Sequence, residues 1–278
     1  MNATGTATIV IPCYTEDRWA SLTGAIDSAL GQTVPVPVIV VVDHNPGLAA
    51  RLRREVSRVT VLENRYAQGV SGGRNTGAEA ATTEYVAFLD DDSTADDAWV
   101  ERLVAGLERE PGAAGAGGAI VPTWTVGEPG WFPEEFGWAV GMTPKDRPLT
   151  RVRNVWGGNM MVRRSTFLAV GGFSGDFGKV GDVPEPEDTE LCLRMNNELG
   201  LDLGWVFVPA AIVHHGVSAH RSTFAFFLER CFFEGAGKAA LASRPDQPSH
   251  VLGAEGDFVR HALTGGVRRS VTAGQWSR

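Results

Sequence analysis

A short apolar run that ends in three consecutive carboxylates, Tyr85-Val-Ala-Phe-Leu-Asp-Asp-Asp-Ser93, constrains this chain more than any other stretch. Five apolar residues without polar alternation suit a strand covered on both faces, as in a parallel sheet wrapped by helices. Three aspartates leaving such a strand are costly in a dry setting, because ionised carboxylates repel one another and lose hydration. They belong at a sheet edge supplied with cations, N–H donors or water. Asp90 and Asp92, one residue apart, can share a divalent cation, and a hard cation can in turn hold a diphosphate. The plain alternative is a polar loop, with Asp96 and Asp97 capping the helix that follows. What else the chain sends to that edge decides between the two.

The chain alternates strand and helix. Residues 7–11 read as a strand, and Trp19, Leu22, Ile26 and Leu30 recur behind it at helical spacing. Residues 36–42 are rich in β-branched side chains and precede a helix over 48–56. A third strand over 59–62 leads to a helical segment over 72–81, and the Tyr85 strand leads to a helix over 97–109. Repeated βα units predict an α/β fold with a doubly wound, mostly parallel central sheet flanked by helices.

Composition narrows the function. At 278 residues and 43% hydrophobic, the chain can bury one large core or two modest ones. Its net charge of −8 and pI near 5.3 leave no basic stripe for nucleic acid. Cys13, Cys192 and Cys231 are odd in number and lack metal-ligand spacing, which predicts buried thiols in a reducing compartment. No charged segment with an apolar core opens the chain, and no apolar run approaches about 18 residues. The expectation is a cytoplasmic protein.

In doubly wound sheets ligands bind beyond the carboxyl ends of the strands. Those ends are polar here: Pro12-Cys-Tyr-Thr-Glu16, Asp43-His-Asn45, Glu63-Asn64 and Asp90-Asp-Asp92. Gly69-Val-Ser-Gly-Gly-Arg-Asn-Thr-Gly77 enters a helix, where Arg74 could meet phosphate. It is neither a Walker loop nor a dinucleotide fingerprint in the first βα turn. Taken in order, Ile9-Val-Ile-Pro-Cys-Tyr14, Val40-Val-Val-Asp43, Gly72-Gly-Arg-Asn-Thr-Gly77 and Phe88-Leu-Asp-Asp-Asp92 resemble the signatures of family-two inverting glycosyltransferases of the GT-A fold. The resemblance continues through Gly157-Gly-Asn159, Glu187-Asp-Thr-Glu-Leu-Cys-Leu-Arg194 and His214-His215, and so covers roughly residues 7 to 222.

The resemblance implies a role for each matching residue. Pro12, Tyr14, Glu16 and Asp43 would contact the nucleoside, with Asp43 reading the base. Arg74 would lie near base or diphosphate, Asp90 and Asp92 would hold ribose and metal, and Gly158 and Asn159 would wall the donor sugar. Asp91 and Glu187 complete the expected donor-facing set, and Asp188 would be the catalytic base. Relatives often carry an acid or serine after the second-strand aspartate; this chain has Asp43-His-Asn-Pro46 instead, which bears on the nucleotide preference.

The second half is less regular. Residues 122–153 carry Trp124, Trp131, Phe132, Phe136 and Trp138 without clear periodicity, rings that either stack on sugars or pin a loop to the core. Lys145, Asp146, Arg147, Arg151 and Arg153 either neutralise an anionic acceptor or form a solvated charged loop. Residues 155–162 read as a strand interrupted by paired glycines, and Gly171 to Gly178 with Gly181-Asp182 as a mobile loop. Pro184-Glu-Pro-Glu-Asp-Thr-Glu190 opens a helix, with Glu190 and Arg194 as an i,i+4 pair. Trp205 to Val213 is an apolar strand ending in His214-His215. Neighbours on a strand face opposite ways, so one of the pair faces the aspartates, and the expected third metal ligand is His215.

These expectations combine into a two-part chain: residues 1–222 as the catalytic unit and 223–278 as a helical extension packed on it or lying at a membrane surface. The expected reaction is a single displacement from a nucleotide-diphosphate sugar, UDP favoured, to an acceptor hydroxyl, supported by Mn2+ or Mg2+. The acceptor would be a sugar, a lipid-linked sugar or a small molecule. A sugar-phosphate nucleotidylyltransferase would want a basic glycine-rich loop after the first strand, which Cys13-Tyr-Thr-Glu16 is not. A non-catalytic glycan-binding module would have no need of the retained acids.

Overall fold

A computed structural model describes residues 5–143, 147–175 and 186–243. Four strands, β1 (Ala7–Cys13), β2 (Val38–Val42), β3 (Thr60–Glu63) and β4 (Tyr85–Leu89), alternate with α1 (Trp19–Leu30), α2 (Pro46–Glu55) and α3 (Val70–Ala80). All pairs among these strands are parallel, and every residue of β1, β2 and β4 is buried. The chain continues through β5 (Ser93–Ala95), α4 (Trp99–Arg109), β6 (Gly115–Trp124), a short 3₁₀ segment (Glu134–Val140), β7 (Thr150–Val152) and β8 (Asn159–Arg163). It ends in α5 (Arg164–Ala169), α6 (Glu187–Leu199), β9 (Trp205–Val217) and α7 (Phe224–Ala242). Among the described residues these strands form one sheet in the order β3-β2-β1-β4-β8-β6-β9-β5, with β7 added to β9.

Side-chain alternation divides the core into two layers. Ile9, Ile11 and Val40 point to the face covered by Leu22 and Ile26 of α1, Leu48 and Leu52 of α2, and Trp99 and Leu103 of α4. Val10, Val41 and Phe88 point to the other face, under Ala78 of α3, Phe167 of α5 and Leu191 and Met195 of α6. This is the doubly wound α/β architecture predicted from the βα repeats. The α3 helix lies unusually close to β1, because a methyl group at Gly77 would come within 2.4 Å of a Val10 methyl.

The structure departs from the sequence reading in three places. The paired glycines do not interrupt a strand: Gly157 and Gly158 form a turn closed by Asn159 N–H donating to the Trp156 carbonyl at 3.1 Å, and β8 begins only at Asn159. The β9 strand runs past His214 and His215 to Val217, placing both within the sheet. Strand β6, with three glycines in its first half, runs on to Trp124, into the segment read as a loop, and pairs with both β8 and β9.

The aromatic segment pins α7. Ring centroids of Trp131, Phe132 and Phe136 lie 5.5–5.8 Å from that of Phe227, and Trp131 meets Phe224 edge-on at 5.2 Å. At its far end α7 buries Leu241 against Leu193 of α6. No helix among the described residues is long and apolar enough to cross a membrane. Lys145, Asp146, the loop residues Gly178, Gly181 and Asp182, and the tail from Arg244 lie outside the described residues.

Candidate active site

The carboxyl ends of β1, β2 and β4 open onto one edge, and the side chains there are held by each other. Asp43, just past β2, is 8% exposed. Its Oδ2 accepts from Gly69 N–H at 2.9 Å and its Oδ1 from Asn64 Nδ2 at 2.6 Å, with His44 Nδ1 2.8 Å away. These contacts join the ends of β2 and β3 to the start of α3. Asn45 caps α2 by accepting from Leu48 N–H and donates to the Tyr14 carbonyl at 3.1 Å, which ties the loop after β2 to the loop after β1. The Tyr14 ring is half exposed above them. The other two members of the expected nucleoside set, Pro12 and Glu16, have contacts of their own. Pro12 lies inside β1 beneath Gly73 of α3, and Glu16 turns outward to Arg51 at 3.3 Å.

The three aspartates separate into two directions. Asp90 Oδ1 receives Arg74 Nη2 at 2.8 Å, and Arg74 Nη1 reaches Glu187 Oε1 at 3.2 Å. Arg74 is 3% exposed, so it is a buried cation bridging β4 to α6, and its Nε finds no partner. Burial pushes the Asp90 carboxyl up, but the charge and hydrogen bond of Arg74 outweigh it and hold Asp90 below the usual carboxylate range. Asp91 and Asp92 turn instead to Arg18, at 2.9 and 3.3 Å. Burial, and then the neighbouring charges of Asp92 and Asp90, push Asp91 up to about 6 against the pull of Arg18.

Strand β9 brings the histidine pair to this edge with opposite orientations. His214 Nε2 lies 3.0 Å from Asp96 Oδ1, away from the cleft. His215 Nε2 lies 3.5 Å from Asp92 Oδ1, while its Nδ1 is 3.1 Å from the Val140 carbonyl. A carbonyl can only accept, so Nδ1 carries the proton and Nε2 keeps its lone pair, which Arg221 Nη1 meets at 2.9 Å. Among the described residues no group of three or more His, Cys, Asp or Glu side chains gathers around one point. The edge brings Asp92 Oδ1 and His215 Nε2 within 3.5 Å of each other, a donor pair that fits two positions of a divalent cation once Arg221 gives up its contact with Nε2.

The opposite wall is the first turn of α6. Asp188 Oδ2 accepts from Gly157 N–H at 3.2 Å and Oδ1 from Thr189 N–H at 2.6 Å. Burial and the charge of Glu234 on α7 raise its carboxyl above the ordinary value, against those two hydrogen bonds and Arg74. Burial and the charge of Asp188 push Glu187 up to about 7 against Arg74. The glycine pair faces the Arg74–Asp90 ion pair. A methyl group at Gly157 would fall 2.8 Å from Arg74 Nη1, and one at Gly158 only 2.3 Å from Asp90 Oδ2, so the bare backbone is what allows the turn to close against them.

Asn159, expected in the donor wall, turns its side chain into the protein. It is fully buried, its Oδ1 accepts from Trp99 Nε1 at 2.8 Å and Gly118 N–H at 3.2 Å, and its Nδ2 donates to the Ala119 and Ala211 carbonyls at 2.9 and 3.1 Å. Every hydrogen-bonding position is used inside the protein, so Asn159 braces the sheet behind the site. The basic cluster also divides: Arg151 pairs with Glu110 at 3.0 Å, and Arg147 lies over the Phe207 ring. Sequence reasoning gave no role to Arg18 or Arg221 and named Asn64 only as part of a polar strand end. Their signal was position, since Arg18 and Asn64 follow strand ends and Arg221 follows the histidine pair.

Comparison with known proteins agrees with this geometry. Residues 8–171 match the family described as glycosyl transferase family 2. The chain is 32% identical over 240 residues to a glucosyl-dolichyl phosphate glucuronosyltransferase of Haloferax volcanii, covering 84% of this chain and 76% of that protein. It is 30% identical over 198 residues to a pre-mycofactocin glycosyltransferase of Mycobacterium tuberculosis, covering 70% of this chain and 39% of the relative. Its fold superposes on the crystal structure of GalNAc-T7 with UDP, GalNAc and Mn2+ with a TM-score of 0.60 at 16% identity, covering 98% of this chain and 58% of that one. The chain belongs to glycosyl transferase family 2 and is a glycosyltransferase of the GT-A fold.

Proposed function

We propose that this glycosyltransferase moves a sugar from a UDP-sugar to an acceptor hydroxyl in a single displacement with inversion, supported by a divalent cation. One observation carries the reading: Asp188 and Asp90 meet the two halves of the same Gly157-Gly158 turn, which puts a proton acceptor beside the aspartates that end β4. A carboxylate whose pKa is raised takes a hydroxyl proton more readily than an ordinary one, and Asp188 is such a group. Asp188 would deprotonate the acceptor as it attacks the anomeric carbon. Its hydrogen bonds from Gly157 and Thr189 fix the direction in which it does so. Asp92 and His215, with Asp90 alongside, would hold a Mn2+ or Mg2+ ion that neutralises charge on the departing diphosphate. Tyr14 and the Asp43–Asn64 pair would receive the nucleoside. Support for UDP and Mn2+ comes from their presence in the GalNAc-T7 structure.

The Haloferax relative's name includes a dolichyl phosphate, which supports a lipid-linked acceptor here. Residues 223–278 are then an extension of the catalytic unit at residues 1–222, acting at the cytoplasmic face of a membrane. Phe224, Leu228 and Phe232, exposed at every fourth position of α7, support peripheral contact of that kind. The test is a nucleotide and metal screen by thermal shift, followed by transfer from labelled UDP-sugars to polyprenyl-phosphate-linked sugars. Asp188→Asn should keep UDP binding by calorimetry and lose transfer by about 10²–10⁴-fold. Stabilisation by guanosine or thymidine nucleotides alone refutes the uridine assignment, and near-normal transfer by Asp188→Asn refutes the base.

A further inference from the structure

The loop between β1 and α1 ends in a cation that the reaction scheme does not use. Arg18 Nη1 donates to Asp91 Oδ1 at 2.9 Å and to Asp92 Oδ2 at 3.3 Å, and its guanidinium carbon lies 5.4 Å from the centre of the Tyr14 ring. Asp92 is therefore held through Oδ2 by Arg18, while its Oδ1 lies 3.5 Å from His215 Nε2. A carboxylate fixed through one oxygen cannot turn freely, so the other oxygen keeps its aim. Partners that orient a metal ligand in this way commonly change metal affinity by about 10–100-fold. Arg18 also brings a positive charge close to the cation position, which by itself would oppose metal binding. Asp91 offsets that charge: it is 5% exposed, it receives Arg18 on Oδ1, and its Oδ2 has no partner. The negative charge of Asp92 is thereby left for the metal.

We propose that Arg18 is a positioning residue that anchors Asp92 through Oδ2 so that Oδ1 faces His215 to receive a divalent cation, and that its stacking on Tyr14 couples this anchoring to the presence of a nucleoside diphosphate. The inference rests on Asp92 and His215 as the cation's ligands. It differs from a merely structural ion pair in requiring that metal affinity, and its dependence on nucleotide, change when Arg18 is removed.

The experiment is Mn2+ binding to the full chain, followed by the paramagnetic resonance of free Mn2+, with the metal alone and with saturating UDP. It compares wild type with Arg18→Ala, Arg18→Lys, Tyr14→Ala and Asp92→Asn. Circular dichroism checks folding, and Arg18→Lys carries the test if Arg18→Ala does not fold. Arg18→Ala should weaken Mn2+ binding in the presence of UDP by about tenfold or more, and Arg18→Lys should regain part of the loss. The gain in Mn2+ affinity on adding UDP should shrink in Arg18→Ala and in Tyr14→Ala. Unchanged or tighter Mn2+ binding in Arg18→Ala, with binding lost in Asp92→Asn, overturns the role of Arg18 and leaves the cation site standing. Absence of UDP-dependent Mn2+ binding in wild type overturns the cation site and this inference together.

Discussion

Replacing Asn159 by aspartate changes one NH2 group to oxygen and almost nothing in volume, so it isolates the hydrogen-bonding role of a fully buried side chain. In the native protein the amide donates to the Ala119 and Ala211 carbonyls while its oxygen serves Trp99 and Gly118. A carboxylate can keep the second pair of contacts but faces two carbonyl oxygens with a negative charge. A protonated carboxyl can serve only one of the two carbonyls, so the lost donation costs about 1–3 kcal/mol even at low pH. Burial without a cation also raises the pKa of the introduced acid by up to about 3–5 units above its unfolded value near 3.9. The folded variant then keeps a proton that the unfolded chain has released, so stability falls as pH rises through that window. Each pH unit adds about 1.4 kcal/mol, or about 3 kcal/mol between roughly pH 5 and pH 7.5. For a chain of this size that is an additional loss of roughly 6–12 °C in Tm relative to wild type at the higher pH. The assay is paired thermal unfolding of Asn159→Asp and wild type at the two pH values. Equal and small differences at both, accompanied by a raised KM for donor, would show that Asn159 faces the donor and that the internal brace is misread.

Glu187 titrates near 7 in the folded protein against an ordinary value of 4.5, so its contribution to stability is lost as pH rises through that interval. Glu187→Gln removes the titration, and urea unfolding should show a shallower decline from about pH 4.5 to 7 than wild type; parallel profiles would contradict the assignment. The histidines make a second pair of expectations. His215→Ala should raise the Mn2+ concentration needed for UDP to stabilise the protein, by about tenfold or more. His214→Ala, which loses only its contact with Asp96, should leave that concentration unchanged; the reverse pattern would exchange their roles.

The first half of the sheet was readable from local pattern, because β1, β2 and β4 are buried along their whole length and apolar runs mark such strands. The second half was harder to read because its causes are distant in sequence. Strand β6 opens with three glycines in four residues, a weak strand pattern. Its glycines are set by neighbours: a methyl group at Gly115 would meet the Trp205 ring at 2.4 Å and one at Gly117 would meet Val155 at 2.4 Å. The rings of residues 122–153 found their partner in Phe227, about ninety residues on, which no periodicity within the segment could announce. Within the site, strand ends located Asp90, Asp92 and Arg74, but not which cation each acid would take. That choice arose from packing, with Arg74 beneath Asp90 and Arg18 beside Asp91 and Asp92. Asn159 shows the limit most clearly: an Asn after two glycines looks the same in sequence whether it faces a ligand or a tryptophan.

The close approach of α3 to β1 sets a mechanical tolerance for the site. Gly77 rests on Val10 with no room for a methyl group, and Arg74, one turn earlier on the same helix, reaches Asp90 at 2.8 Å. Alanine at position 77 touches no ligand, yet relieving its 2.4 Å approach to Val10 would require the helix to rise by more than about an ångström to restore ordinary carbon contact. A displacement of that size would stretch the Arg74–Asp90 pair and shift Asp90 against Gly158, and misplacements of about 1 Å can cost on the order of a hundredfold in rate. The spacing between a helix and a strand, fixed by one missing carbon, thus acts as the gauge to which the acidic cluster is set.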